Sequence, residues 1–310
     1  MAELQRRLAA LGHTISHEAE SVFGKPTRVA VTEFQAARGL RTDGVCGHQT
    51  WSAIVEAGYQ LGDRRLHQRR PMMRGDDVAD LQRRLGGLGF DAGKVDGIFG
   101  PDTASALADF QRNVGLIVDG IFGGREMQVI ERLAHHGGDG LVTDLREVEA
   151  LRSSARSLER LRVVVGARCA LDSPASALGR ALQDHGAEAI VVEHPDGSER
   201  AQQANRARAA LFLEVSALHD VAGCRCAYYR GYSTSSPAGH DLAERLQLTV
   251  SEALAIPALG ACGMAVPVLR ETRMPAVICE VGPADRLMQG APALAGAVVD
   301  ALVAWMAPIG

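Results

Sequence analysis

The sequence predicts a multidomain protein in which two small all-α repeats, each a three-helix bundle, precede an α/β domain with a mainly parallel sheet. Three observations lead to this prediction. The chain has 310 residues, which is enough for two or three domains of ordinary size. Its first half repeats itself, and its second half alternates β-rich runs with helical ones.

Composition and charge exclude several classes of protein. The net charge of −4 gives no overall positive field, so we expect no nucleic acid partner. The N-terminal MAELQRRLAALG enters an amphipathic helical pattern at once and lacks the apolar core of a secretory signal, which predicts a cytoplasmic protein. The apolar run at 291–310 carries Asp300 and is interrupted by Pro292 and Pro308, so we expect a helix buried on a sheet and no membrane span.

The internal repeat is carried by short motifs that recur in the same order. Self-comparison comes first because a repeat dictates the architecture. LQRRL at 4–8 recurs at 81–85, FG at 23–24 recurs at 99–100, FQ at 34–35 recurs at 110–111, and DG at 43–44 recurs at 119–120.

Each copy of the repeat is predicted to be a three-helix bundle with Asp-Gly turns. In the second copy, Leu81, Leu85 and Leu88 fall on one helix face, and Gly89 supplies the left-handed stop. The turn VDGIFG at 95–100 leads into a helix at 103–113, and a second Asp-Gly turn leads into a third helix. The repeats are expected at 1–62 and 72–134.

These motifs together resemble the peptidoglycan-binding repeat of bacterial wall hydrolases. In the first copy, Glu20 and Ser21 stand where the second copy has Asp96 and Gly97, so the first copy departs from the pattern at its turn. The resemblance implies binding to peptidoglycan. The alternative, that both copies are protein-docking bundles, remains open.

The second half begins after a predicted linker at 135–160, where a Gly-rich break precedes a charged helical stretch. The domain at 161–310 alternates strands and helices, which is typical of a mainly parallel sheet. Strands are predicted at 162–167, 189–193, 210–217, 224–230 and 275–281, and helices at 177–185, 198–208, 239–255 and the C-terminal run.

The strand PAVICEVG places Glu280 at the carboxyl end of an apolar run, where open α/β sheets usually carry their chemistry. Glu280 is therefore the leading catalytic candidate. Together with the segment ANRARAALFLEVSA, this strand resembles the zinc-dependent N-acetylmuramoyl-L-alanine amidase family over 161–310. The resemblance implies that Glu280 occupies the position of the general base.

The zinc ligands of that family are replaced in this sequence. The resemblance places Cys169 and Ser216 where two zinc histidines stand, and the glutamate ligand falls in a shortened segment. A catalytic zinc needs about three protein ligands and an open position for water. We therefore expect no metal and no cofactor, with Glu280 a vestigial base. A substitute zinc site built from Cys169, His194 and His219 is the alternative.

The six cysteines fit neither a zinc ribbon nor a Cys-x-x-Cys site, because Cys224 and Cys226 are one residue too close. In a cytosolic protein we expect them to be mostly small buried apolar residues.

The order of the domains resembles the actinobacterial CwlM-type group. That resemblance implies a catalytically inactive, cytoplasmic regulator of peptidoglycan biosynthesis. The implied partners are a precursor enzyme such as MurA or the lipid II flippase, with a muropeptide as a second kind of ligand. The competing interpretation is an active or divergent zinc-dependent amidase that hydrolyses peptidoglycan.

Overall fold

The computed structural model describes residues 1–15, 22–134, 157–168, 172–218, 221–231 and 234–307. The chain divides into two compact units, Met1–Leu145 and Arg146–Gly310. Residues 135–156 of the predicted linker, and Glu20 and Ser21 of the first repeat, lie outside the described residues.

The described part of the first unit is helical, as predicted. Proline in the first turn of α2 and of α5 presets the backbone for a helix start, and the helix expected at 103–113 begins two residues earlier for this reason. The helices are α1 (Ala2–Ala10), α2 (Lys25–Ala37), α3 (His48–Ala57), α4 (Asp76–Gly87), α5 (Pro101–Asn113) and α6 (Gly124–Ala134).

Each repeat encloses its own apolar core. In the first, Leu8, Val31 and Ile54 are fully buried and belong to one cluster. In the second, Leu81 and Leu85 of the predicted inward face of α4 share one buried core with three phenylalanines, so the leucine spacing read from the sequence is confirmed. The buried members of this second core include Leu81, Leu85, Phe99, Leu107, Phe110, Phe122 and Ile130.

The second unit contains a six-stranded sheet with the order β2-β1-β3-β6-β4-β5. All neighbouring strands are parallel except β4 and β6, which are antiparallel, so the predicted mainly parallel sheet is confirmed. The strands are β1 (Arg162–Ala167), β2 (Glu188–Glu193), β3 (Leu211–Ala217), β4 (Gly223–Tyr229), β5 (Ala258–Met264) and β6 (Ala276–Gly282).

Six helices accompany the sheet in the described part of this unit. They are α7 (Asp172–Asp184), α8 (Gly197–Arg206), α9 (Pro237–Leu254), α10 (Pro267–Glu271), α11 (Ala284–Gln289) and α12 (Ala291–Met306). One core joins α7, α9 and α12 to one face of the sheet, and a second core joins α8 and α10 to the other. The C-terminal apolar run thus forms the buried helix α12, and no described helix is long and apolar enough to cross a membrane.

In the second unit, the structure moves the start of one predicted helix and adds one strand and two short helices. The helix expected at 177–185 begins at Asp172, because Pro174 falls in its first turn, where proline is tolerated. Strand β5 and the short helices α10 and α11 were not predicted. The β5 sequence ALGACGM lacks the β-branched and aromatic residues that favour strands, and it becomes a strand by pairing with β4.

Candidate functional site

Three neighbouring strands bring Glu280, Ser216 and Arg225 side by side. The parallel register of β3 and β6 pairs Ser216 with Glu280, and the antiparallel register of β6 and β4 pairs Glu280 with Arg225. Residues directly opposite each other on paired strands point to the same face. That face is the one covered by α8 and α10, since Ile278, two residues before Glu280, belongs to their core.

Arg225 forms an ion pair with Glu280. The Arg225 Nε donates a hydrogen bond to Glu280 Oε2 at 2.9 Å, and Nη2 donates a short bond to the same oxygen. Glu280 is buried, whereas 37% of the Arg225 side chain is exposed. The carboxylate that the sequence assigned to a general base is therefore engaged by a guanidinium group.

A second ion pair lies next to the first on the same face. Glu214 stands two residues before Ser216 on β3 and accepts hydrogen bonds from Arg200 of α8, at 3.0 Å from Nε and 3.3 Å from Nη2. The two side chains are only 1% and 2% exposed. Arg168 Nε lies 3.7 Å from Glu214 Oε1, and 51% of the Arg168 side chain is exposed. Burial raises the pKa of Glu214, and the charges of Arg200 and Arg168 oppose that rise.

We call these five side chains the arginine–glutamate cluster: Arg168, Arg200, Arg225, Glu214 and Glu280. Its donors do not fit a catalytic zinc ion. Both carboxylates already bind arginines, three positive groups face two negative ones, and the remaining donor, the Ser216 hydroxyl, is not among the usual zinc ligands. Cys169 and His219 lie outside the described residues, and the His194 Nδ1 accepts a hydrogen bond from the Asp196 amide at 3.1 Å.

The opposite face of the sheet carries a group that the sequence analysis did not identify. Cys224, Cys226 and Cys279 are buried there, with their sulfur atoms all within 4.8 Å of one another. We call them the thiol cluster. The Cys-x-Cys spacing on a strand was a signal that two of them share a face, but only the β4–β6 register adds the third.

Burial and mutual hydrogen bonds shift the pKa values of the three thiols in different directions. Bonds from Cys226 and Cys279 lower the pKa of Cys224. Burial raises the pKa of Cys226, and the hydrogen bond to Cys224 raises the pKa of Cys279.

The repeats contain a recurrent hydrogen-bond network around a buried glutamine. The Gln82 Nε2 lies 3.0 Å from Asp96 Oδ1, 3.1 Å from the Ile98 carbonyl and 3.0 Å from Thr103 Oγ1, and its Oε1 accepts the Gly97 amide at 2.9 Å. Gly97 has φ +70°, which favours glycine and explains the Asp-Gly motif.

The same glutamine network occurs at two further turns. Gln35 contacts Asp43, Val45, Thr50 and Gly44, and Gln111 contacts Asp119, Ile121, Glu126 and Gly120. In α1, Gln5 donates to the Val22 carbonyl and to Thr27. The network thus explains why the recurring motifs pair a glutamine with a turn.

Known proteins are similar to both the repeat half and the α/β half of the chain. Residues 1–54 and 74–130 match the family of peptidoglycan binding domains. The chain is 31% identical to the N-acetylmuramoyl-L-alanine amidase CwlM of Mycobacterium tuberculosis, covering 98% of this chain and 86% of the relative. It is also 31% identical to the N-acetylmuramoyl-L-alanine amidase CwlL of Bacillus licheniformis, over 39% of each protein.

A solved structure, an N-acetylmuramoyl-L-alanine amidase from Clostridium difficile, is similar to 49% of the chain over its own full length, with 16% identity and a TM-score of 0.39.

Proposed function

Because this chain belongs to the CwlM-type family of amidase-like proteins with peptidoglycan-binding repeats, we propose that it is a catalytically inactive member that regulates peptidoglycan biosynthesis by binding. The observation that carries the proposal is the ion pair between Arg225 and Glu280. A general base must accept a proton from water, so its oxygen has to be within reach of that water. Here two guanidinium hydrogen bonds occupy Oε2.

The charge of the site supports the same proposal. A water-activating zinc requires a set of neutral or anionic ligands around an open position. In the arginine–glutamate cluster, a divalent cation would have to displace an arginine from each carboxylate and leave that guanidinium close to the ion. Three arginines near the ion would repel it, which opposes zinc binding at this face.

The arginine–glutamate cluster offers a means of binding in place of hydrolysis. Arg168 and Arg225 keep 51% and 37% of their side chains exposed. Arginine recognises carboxylates through two parallel hydrogen bonds, and muropeptides carry carboxylates. A muropeptide is therefore the small ligand that we propose, and the protein partner is a precursor enzyme such as MurA or the lipid II flippase. Cytoplasmic action belongs to this proposal, and cell fractionation tests it.

The competing function is hydrolysis, and the observation in its favour is the retention of Glu280 at the family's base position. An assay of the purified full chain on muropeptides, with and without added zinc, distinguishes the two. We expect no peptide release from the wild type under either condition, whereas the Bacillus licheniformis amidase CwlL serves as the active control.

One tightly bound zinc per chain, together with release of peptide that is lost in Glu280→Ala, would show that the protein is an amidase. A pull-down from native lysate with the same preparation then tests the binding role. Capture of a precursor enzyme or of the flippase supports regulation. Retention of wall glycan alone contradicts it.

A further inference from the structure

The thiol cluster lies on the side of the sheet away from Glu280. Side chains alternate along a strand, so Cys279 and Glu280 of β6 point to opposite faces. Cys279 belongs to the core formed with α7, α9 and α12, together with Cys224 and Cys226. Whatever the thiol cluster binds is therefore separate from the arginine–glutamate cluster and from the function proposed above.

Strand pairing holds the three sulfur atoms together. Cys224 and Cys226 are two residues apart on β4 and share a face, and Cys226 pairs directly with Cys279 across the antiparallel β4–β6 ladder. Directly opposite residues in such a ladder have Cα atoms about 4.5–5.5 Å apart. Two hydrogen-bonded strands thus fix the backbone positions of all three donors before any ligand binds.

The spacing of the sulfur atoms matches that around a thiolate-bound metal. With a metal–sulfur bond of about 2.3 Å, sulfur atoms at the corners of a tetrahedron are about 3.8 Å apart, and at the corners of a planar triangle about 4.0 Å apart. The Cys224 and Cys279 sulfurs are 3.7 Å apart, and all three lie within 4.8 Å of one another. Small side-chain rotations bring the longer separations into this range.

We propose that Cys224, Cys226 and Cys279 form a three-thiolate site for one soft metal ion, of the Cu⁺ or Zn²⁺ type. Thiolates select these ions over harder ones such as Mg²⁺ or Ca²⁺. In the described part of the chain, this is the one group of three or more His, Cys, Asp or Glu side chains whose donor atoms converge in this way. Three sulfurs complete the coordination of Cu⁺, whereas Zn²⁺ requires a fourth ligand.

The surroundings favour Cu⁺ over Zn²⁺. Val281 pairs with Cys224 across the β4–β6 ladder, and the thiol cluster belongs to an apolar core that also contains Val277 and Leu242. The Ser251 hydroxyl of α9 contacts Cys224 and donates a hydrogen bond to the Gln247 carbonyl at 2.5 Å, and a neutral hydroxyl is not among the usual zinc ligands. Since Cys224, Cys226 and Cys279 are buried, we expect the ion to enter as the domain folds, and its binding then stabilises the folded state.

The test is a metal titration of the full chain, kept reduced and free of oxygen, with Cu⁺ and with Zn²⁺ in separate arms against a competing chelator. We expect one equivalent of Cu⁺ per chain, an ultraviolet charge-transfer band between thiolate and metal, and a rise in the unfolding temperature of the second unit. Zn²⁺ should bind more weakly. A preference for Zn²⁺ would still support the thiolate site and would show that a further group or a water molecule supplies a fourth ligand.

Single cysteine variants provide the comparison. Cys226→Ala should weaken Cu⁺ binding by about 100-fold or more and abolish the charge-transfer band. Cys262→Ala is the matched control, because Cys262 pairs with Ala227 on the neighbouring strand and so lies on the other face. It should bind Cu⁺ like the wild type. Circular dichroism verifies folding, and Cys279→Ala or Cys224→Ala replaces Cys226→Ala if that variant does not fold.

Several results would overturn the proposal. One is a reduced wild type that binds neither ion in the presence of the chelator. This result would overturn the proposal even if the same cysteines form a disulfide when the protein is exposed to air. Another is binding that persists in the cysteine variants. Metal that disappears in Glu280→Ala while the cysteines are intact would instead place the ion on the arginine–glutamate face, which would contradict the inactive function proposed above.

Discussion

At the scale of single residues, the repeats depend on a few buried amides. Gln82 joins α4, the Asp-Gly turn and α5, because its side chain donates to Asp96 and Thr103 and accepts from the turn glycine. A buried polar group that loses its partner costs about 1–3 kcal/mol. The glutamine is therefore as important to this repeat as the leucines of its core.

We predict that Gln82→Leu lowers the free energy of unfolding of the first unit by about 3 kcal/mol, because Asp96, Thr103 and the Gly97 amide lose a buried partner. Chemical denaturation measures the loss, and hydrogen exchange at Gly97 reports it locally. Gln128→Leu is the control, since Gln128 is exposed on α6. Equal effects of the two substitutions would contradict the role of the network.

At the scale of secondary-structure elements, α8 is attached to the sheet by a buried charge. Arg200 pairs with Glu214 of β3 and also donates to the His194 carbonyl at the end of β2. Both charged groups are almost completely buried, so loss of either one would leave the other as an unpaired buried charge. Strand β4 is organised in a comparable way, because its alternation presents Arg225 to one face and the thiol pair to the other.

We predict that Arg200→Ala destabilises the second unit by about 3–5 kcal/mol, because Glu214 keeps a buried charge without its main partner. Arg206→Ala on the exposed side of α8 should cost less than about 1 kcal/mol. Denaturation of both variants measures the difference.

The effect of Arg200→Ala should also depend on pH. Loss of Arg200 raises the pKa of Glu214 further above its value in the unfolded chain. Stability is then lost as the pH rises through that interval and recovered as the pH falls, when Glu214 binds a proton. A destabilisation that stays constant between pH 4 and 8 would contradict burial of this charge.

At the scale of the whole molecule, the chain consists of two units whose apolar cores contain residues of one unit each. The first unit contains two separate helical cores, and the second contains one core on each face of its sheet. Because each apolar core belongs to one unit, we expect the two units to unfold in separate cooperative transitions.

We predict that Leu85→Ala, in the core of the second repeat, destabilises only the first unit, by about 3 kcal/mol. Leu242→Ala, in the core beneath α9, should shift only the transition of the second unit. Differential scanning calorimetry of the full chain follows both transitions at once. Parallel shifts of the two transitions in either variant would show that the units unfold together.

The sequence by itself determined the repeats, the fold class and most elements of the sheet. These features depend on local patterns, such as the leucine spacing of α4, the turn glycines and the apolar run of β6. It missed β5, whose glycines and alanines carry no strand signal, and it placed the start of α7 too late. It also selected Glu280 and Ser216, which the structure brings together as register neighbours.

Only the tertiary structure decided which groups surround those residues. Arg225 and Glu280 are 55 residues apart in the chain, as are Cys224 and Cys279, and each pair meets because β4 inserts antiparallel beside β6. Strand register is a non-local property, since it depends on the packing of the whole sheet and not on the composition of either strand. The ion pair on one face and the thiol cluster on the other therefore emerge only when the sheet is assembled.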